Sequence, residues 1–321
     1  MTSSLPQPEE KVQPIRCIPQ REVHEAQARA GGVEDLVEFR AFYTRDILLF
    51  GAVAGPEDGE PVVMLHGFPD MWLGWARQIR PLVEAGYRLI IPDQRGYNRS
   101  EKPGDIDDYQ LSELGQDIVD VLDAVGVEKA HLVGHDWGGA ITWWLAEHRP
   151  ERWKTATILN CPHPTVMMEE LSFRNVRQML RSWYIAFFQI PHLSEATARA
   201  GNFRFLETAL RLGREGAFSD EEIEAYKEAW SQDGAVRSML SYYRAARRAM
   251  FDGDGEESKE ITVPTTVIWG VDDKALDRST VEPSTARCRD AQIHWVEEAS
   301  HWVQRDCPEL VSEKLVEVFG S

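Results

Sequence analysis

The sequence has few cysteines, no long apolar run and no surplus of basic charge, and each shortage removes a class of function. Its four cysteines, Cys17, Cys161, Cys288 and Cys307, lie far apart and form no Cys-x-x-Cys pair. That disfavours both a structural zinc site and the disulfide framework of a small secreted domain. The apolar runs fall short of the ~20 residues of a membrane span. Met1 to Gln13 holds no apolar stretch of the kind a secretory signal needs, so the cytoplasm is the simplest compartment. With 35 basic against 53 acidic residues the formal net charge is −18, and a phosphate backbone would be repelled, so nucleic acid is not an expected partner. The chain also lacks His-Glu-x-x-His, a cysteine–histidine cluster and a Gly-x-Gly-x-x-Gly turn after a strand. Neither a metal nor an organic cofactor is therefore expected.

What is present suits a large α/β protein. At 321 residues the chain exceeds the ~100–200 of a typical domain, which fits two units or one domain with an insertion. Val37–Thr44 and Ile47–Ala54 read as a β-hairpin. Pro61–Leu65, Arg88–Pro92, Lys129–Val133, Thr155–Leu159, Thr265–Trp269 and Gln292–Val296 read as single short strands. Leu111, Leu114, Ile118, Val121, Leu122 and Val125 follow the spacing of an amphipathic helix. Strands alternating with helices indicate a mostly parallel sheet with helices on both faces. Between Pro162 and Asp252 the alternation stops, and a helical stretch dense in aromatic residues takes its place. The expected organisation is an N-terminal arm without chemistry over 1–35, an α/β core over 36–161 and 253–321, and an inserted helical cap domain over 162–252. Most of the cap aromatics are expected to form the cap's own core.

The chemistry concentrates at strand ends, where such sheets bind ligands. Gly134-His135-Asp136-Trp137-Gly138 follows a strand and opens a helix, with small residues two before and two after the centre. This is the pattern of a nucleophile elbow, with aspartate where serine is usual. A Gly-x-Asp-x-Gly string occurs by chance in about one chain in ten of this length, so its weight comes from its company. An aspartate nucleophile attacks carbon and leaves an ester that water must hydrolyse, which suits an epoxide or an alkyl halide. His301, past the final strand, is the candidate base. Asp273, past the penultimate strand, is the candidate acid that orients it, with Asp272 and Asp277 as alternatives. The order Asp136, Asp273, His301 is that of nucleophile, acid and histidine in α/β-hydrolases. In His66-Gly67-Phe68-Pro69 the Phe68 backbone N–H can pair with that of Trp137 as an oxyanion hole.

His66-Gly67-Phe68-Pro69, Asp93-Gln94-Arg95-Gly96-Tyr97, Gly134-His135-Asp136-Trp137-Gly138-Gly139 and Ser300-His301-Trp302, in this order, resemble the α/β-hydrolase-fold epoxide hydrolases over about residues 36 to 318. The resemblance implies two cap tyrosines that bind and protonate the epoxide oxygen. Arg181–Gln189 looks like the segment carrying the first, at Tyr184. Leu240–Arg244 looks like the segment carrying the second, at Tyr243, with Tyr242 as its neighbouring alternative. It further implies an epoxide and water as the small-molecule partners, the aromatic density of the cap suggests that the epoxide is apolar, and a homo-oligomer is left open. The related haloalkane and fluoroacetate dehalogenases use the same aspartate. However, Phe68 offers no side-chain donor to a halide, and Trp137 and Ala140 stand where fluoroacetate enzymes carry arginines. A non-catalytic receptor on this fold is the third reading, and the complete set of reactive residues argues against it.

Overall fold

Residues 12–14, 18–171, 178, 181–252 and 259–320 are described in the computed structural model of the chain. Cys17, the first eleven residues and the expected start of the second core segment, 253–258, lie outside them. Nine strands form one sheet in the order β1-β2-β3-β5-β4-β6-β7-β8-β9. They are β1 (Val12–Pro14), β2 (Val37–Tyr43), β3 (Leu48–Ala54), β4 (Glu60–Leu65), β5 (Tyr87–Asp93), β6 (Ala130–His135), β7 (Trp153–Leu159), β8 (Thr265–Gly270) and β9 (Ala291–Val296). The pairings among β1, β2, β3 and β5 are antiparallel, and those from β5 through β4, β6, β7 and β8 to β9 are parallel. The central strands β6 and β8 are buried along their whole length, and β4 is buried over its last four residues. This is what helices on both faces demand of a parallel sheet.

Several elements escape the sequence reading, among them the helices Val281–Thr285 and Pro308–Phe319 late in the chain. Helix α2 (Ala76–Glu84) carries Pro81 inside it. The arm expected over 1–35, whose Arg21–Ala30 stretch reads as helical, packs into the fold: the unexpected β1 extends the sheet, and helix α1 (Ile18–Gly31) buries Gln27 and His24. The Gln27 amide accepts from the Trp72 indole at 3.0 Å and exchanges hydrogen bonds with Asn98. The expected helices over 111–125 and 139–147 appear as α3 (Leu111–Ala124) and α4 (Trp137–His148).

Between β7 and β8 the described residues hold five helices: α5 (Pro164–Leu171), α6 (Trp183–Phe188), α7 (Leu193–Leu210, broken over Ala200–Phe203), α8 (Asp220–Ser231) and α9 (Ala235–Asp252). The sequence starts α8 with Ser219 and Glu222, whose side chains each bond the other's backbone N–H in a capping box. Phe188, Tyr226, Trp230 and Tyr242 are buried, as expected of a helical core, whereas Trp183 is 59% exposed.

This helical insert grips the rest of the chain at two places in particular. Near its start, Arg181 donates to the carbonyls of Asp273 and Leu276 at 2.9 and 3.2 Å. Near its middle, the Ala209 carbonyl accepts from the Trp302 indole at 3.0 Å. Beside that contact the fully buried Arg305 donates to the Ala217 carbonyl and to Glu222, with its guanidinium 4.7 Å from the Phe218 ring centre. Removing one partner of a buried ion pair strands the other without solvent. Arg305→Met should therefore lower stability by about 3–5 kcal/mol in urea unfolding. A loss below about 1 kcal/mol would mean the pair behaves as a solvated one.

Candidate active site

The β6 strand delivers Asp136 into a turn that few residues tolerate. Asp136 has φ 50° and ψ −121°, and α4 begins at the next residue. A non-glycine residue with positive φ costs about 1–3 kcal/mol, which the surrounding packing must sustain. The turn is tight enough to exclude side chains from its flanks. A Cβ on Gly138 would lie 2.2 Å from the Leu65 carbonyl oxygen. Facing the turn, a Cβ on Gly67 would lie 2.4 Å from the Asp136 Cβ. This bare approach lets the Phe68 N–H reach Asp136 Oδ1 at 2.8 Å. Among the described residues no bond from the Trp137 N–H to that carboxylate is present. Behind Phe68, His66 Nε2 accepts from the Gln94 N–H at 3.1 Å, and the Pro69 carbonyl accepts from the Trp230 indole at 2.8 Å. Burial lowers the His66 pKa to about 4, so its ring is neutral and serves as a strut.

His301 meets both carboxylates. Its Nε2 lies 3.5 Å from Asp136 Oδ2, and its Nδ1 lies 2.8 Å from Asp273 Oδ2. Asp273 Oδ1 accepts the N–H groups of Ala275 and Leu276 at 2.7 and 2.9 Å. Asn160 donates to Asp273 Oδ2 at 2.8 Å, and its own Oδ1 accepts the Gly270 N–H at 2.8 Å. Of the alternative acids, Asp272 is exposed and Asp277 caps a short helical turn through the Ser279 N–H. Asn160 and His135 are site residues that the sequence reading missed. Asn160, just past the end of β7, carries a positional signal only. His135 donates from Nε2 to the His301 carbonyl at 2.8 Å, since that oxygen can only accept.

A cavity of about 270 Å³ opens over Asp136 and His301, walled by Phe68, Phe188, Phe205, Trp302, Tyr184 and Tyr243. The Tyr184 and Tyr243 rings lie 6.0 Å apart at 84°, and Tyr243 stands edge-on to Trp137 and Phe68 at 5.1 and 5.3 Å. Tyr242 points elsewhere, its hydroxyl donating to the Arg95 carbonyl at 2.8 Å. A larger open groove of about 790 Å³ between α1 and α8 is lined by none of these residues. Among the described residues no three His, Cys, Asp or Glu side chains converge as a metal site, and no helix is long and apolar enough to cross a membrane.

The α/β-hydrolase-fold family profile matches residues 60–306. A Bacillus subtilis AB hydrolase superfamily protein, YfhM, is 42% identical over 88% of this chain and 98% of its own length. Human epoxide hydrolase 4 is 35% identical over 85% of this chain and 75% of its own. Among solved structures, the Bacillus megaterium epoxide hydrolase in complex with an inhibitor superposes with a TM-score of 0.79 at 28% identity. That match covers 88% of this chain and all of the other. The chain is a hydrolase of the α/β-hydrolase-fold epoxide hydrolase family.

In this epoxide hydrolase family member the site is electrostatically one unit. Burial works to raise both carboxylates, but the hydrogen bonds and charge of His301 outweigh it and hold Asp136 and Asp273 below the ordinary range. Burial would likewise lower His301, yet the charge of Asp273 and the hydrogen bond to Asp136 prevail and raise it to about 10. His135 is lowered by burial, and further by His301, to about 3, so it stays neutral. Burial first, then the Asp136 charge, pushes both cavity phenols well up, so Tyr184 and Tyr243 hold their protons. Because the folded His301 pKa lies above its unfolded 6.5, its contribution to stability is complete below pH 6.5 and is lost as pH rises through about 10. The stability difference between wild type and His301→Gln should therefore shrink across that window in urea unfolding. A difference that stayed flat or grew with pH would mean that His301 is neutral at rest.

Proposed function

We propose that this protein opens an apolar epoxide to a vicinal diol through an ester on Asp136. The observation that carries the reading is the convergence on one cavity of a buried carboxylate, two protonated phenols and an imidazole backed by a second carboxylate. Asp136 Oδ2 attacks an epoxide carbon, the ring C–O bond breaks, and Tyr184 and Tyr243 donate to the departing oxygen. An alkoxide leaves poorly unless protonated, and a general acid typically supplies about 10²–10⁴-fold. The segment over 162–252 acts as the cap domain that brings these phenols to the strand ends.

Forming the ester removes the Asp136 charge that helps to keep His301 protonated. His301 then loses its proton, which restores the phenol, and its Nε2 can take a proton from water. Asp273 holds the ring through Nδ1. The water attacks Asp136 Cγ, and the Phe68 and Trp137 N–H groups hold the resulting oxyanion. Collapse breaks the Cγ–O bond to the diol, the departing oxygen takes the proton left on the water-derived oxygen, and Asp136 returns as a carboxylate that keeps that oxygen beside a protonated His301. No step calls for a metal or an organic cofactor.

A single turnover of an aryl epoxide in ¹⁸O-water tests the ester directly. The label should appear in the peptide containing Asp136; label found only in the diol would mean that water attacks the epoxide itself. His301→Gln should still form the ester but fail to hydrolyse it, which intact-protein mass would report as one adduct per site. Asp136→Asn should lose several orders of magnitude of turnover, read promptly because asparagine can deamidate. Tyr184→Phe and Tyr243→Phe should each slow ester formation about 10²–10⁴-fold. Wild-type rates in both, or turnover of fluoroacetate alone, would favour the dehalogenase reading instead.

A further inference from the structure

We propose that Gln189 is a positioning residue that sets the spacing of the two tyrosines. The inference rests on the reading of Tyr184 and Tyr243 as proton donors. Tyr184 sits on the short helix α6 and Tyr243 on α9, which reach the cavity from different parts of the insert. No hydrogen bond between the two rings holds them together; they meet edge to face, with Phe188 packed against each at 5.7 and 5.0 Å. A side-chain amide bonded to backbone carbonyls of both is what joins their helices. Gln189 Nε2 donates to the Ile185 carbonyl, one residue past Tyr184, at 3.1 Å. It also donates to the carbonyl of Tyr243 itself at 3.1 Å.

A carboxamide NH₂ has two N–H groups, and here each has one acceptor, one on each helix. The reversed amide would set its oxygen against two carbonyl oxygens, so the contacts themselves fix which atom is nitrogen. The arrangement asks for glutamine specifically: glutamate at neutral pH has no donor, and asparagine is one carbon shorter. Gln189 does not line the cavity, so it acts only through the backbone it ties. The junction has a second support, because Arg244 donates to the Phe188 carbonyl and Ser194 at 3.0 Å each and pairs with Glu195. Loss of Gln189 should therefore leave α6 attached while freeing the relative position of the two hydroxyls. Rate is sensitive to displacements of that size, with about 1 Å enough to cost roughly 10²-fold.

The test measures ester formation and ester hydrolysis separately by rapid quench and intact-protein mass, using an aryl epoxide. The variants are Gln189→Glu and, in case the carboxylate disturbs folding, the uncharged Gln189→Met. Ester formation should slow about 10- to 100-fold in the variants, while hydrolysis of the ester stays within about twofold of wild type. Wild-type ester formation in both variants would overturn the proposal. So would an equal fall in both half-reactions together with a lowered melting temperature, the mark of a merely structural role. Tyr184→Phe is run alongside. If it forms ester at the full rate, the proton-donor reading fails and this inference falls with it; if it is slow and the Gln189 variants are not, only this inference fails.

Discussion

Two carboxylates and one imidazole are buried together just past the ends of the parallel strands β6, β8 and β9, and the surrounding structure is arranged around that charge. An ionised group taken out of water is tolerated only when paired and hydrogen-bonded. With two anions and one cation, the unit is left one negative charge in excess. The backbone and side-chain groups nearest the carboxylates are correspondingly donors: the N–H groups of Phe68, Ala275 and Leu276, and the amide of Asn160. None of these could be placed by side-chain choice alone. They require the loop after β4, the turn after β7 and the loop after β8 to close on the elbow after β6, as the sheet order arranges.

The same geometry explains why Asp136 sits in a strained conformation. With φ 50°, Asp136 projects from the turn instead of continuing the strand, and its carboxylate meets Phe68 on one side and His301 on the other. A relaxed backbone would have to give up one of these partners. Strain at this residue is offset by contacts spread across several elements, including the glycines that make room for the turn.

Much of this was legible in the sequence. The parallel strands are short, apolar and bounded by turn residues, and most of their limits agree with the expected ones to within two residues. The elbow was readable because its steric demand selects small flanking residues. Strand β1 was not, because it is three residues long and includes proline. Helix α2 was masked by its internal Pro81. The choice between Asp273 and Asp272 lies beyond residue pattern altogether. It depends on which side chain turns inward toward the Ala275 and Leu276 N–H groups, and neighbours in a loop look alike until that is known. Tyr243 and Tyr242 were separable only by direction, since one faces the cavity and the other the Arg95 carbonyl. Asn160 gave no chemical signal, as a polar residue after a strand is ordinary.

The insert's grip on the loops that carry Asp273 and His301 has a mechanical meaning. Arg181 holds the carbonyl of Asp273, and Trp302, the residue after His301, holds the carbonyl of Ala209. The helices that roof the cavity are thus bolted to the Asp273 loop near the start of the insert and to the His301 loop near its middle. A shift of those helices would therefore pull on both loops, and with them on the two residues that face Asp136. Roof, acid loop and histidine loop thus behave as a single mechanical part, and the spacing of the three charged side chains is set in part from above.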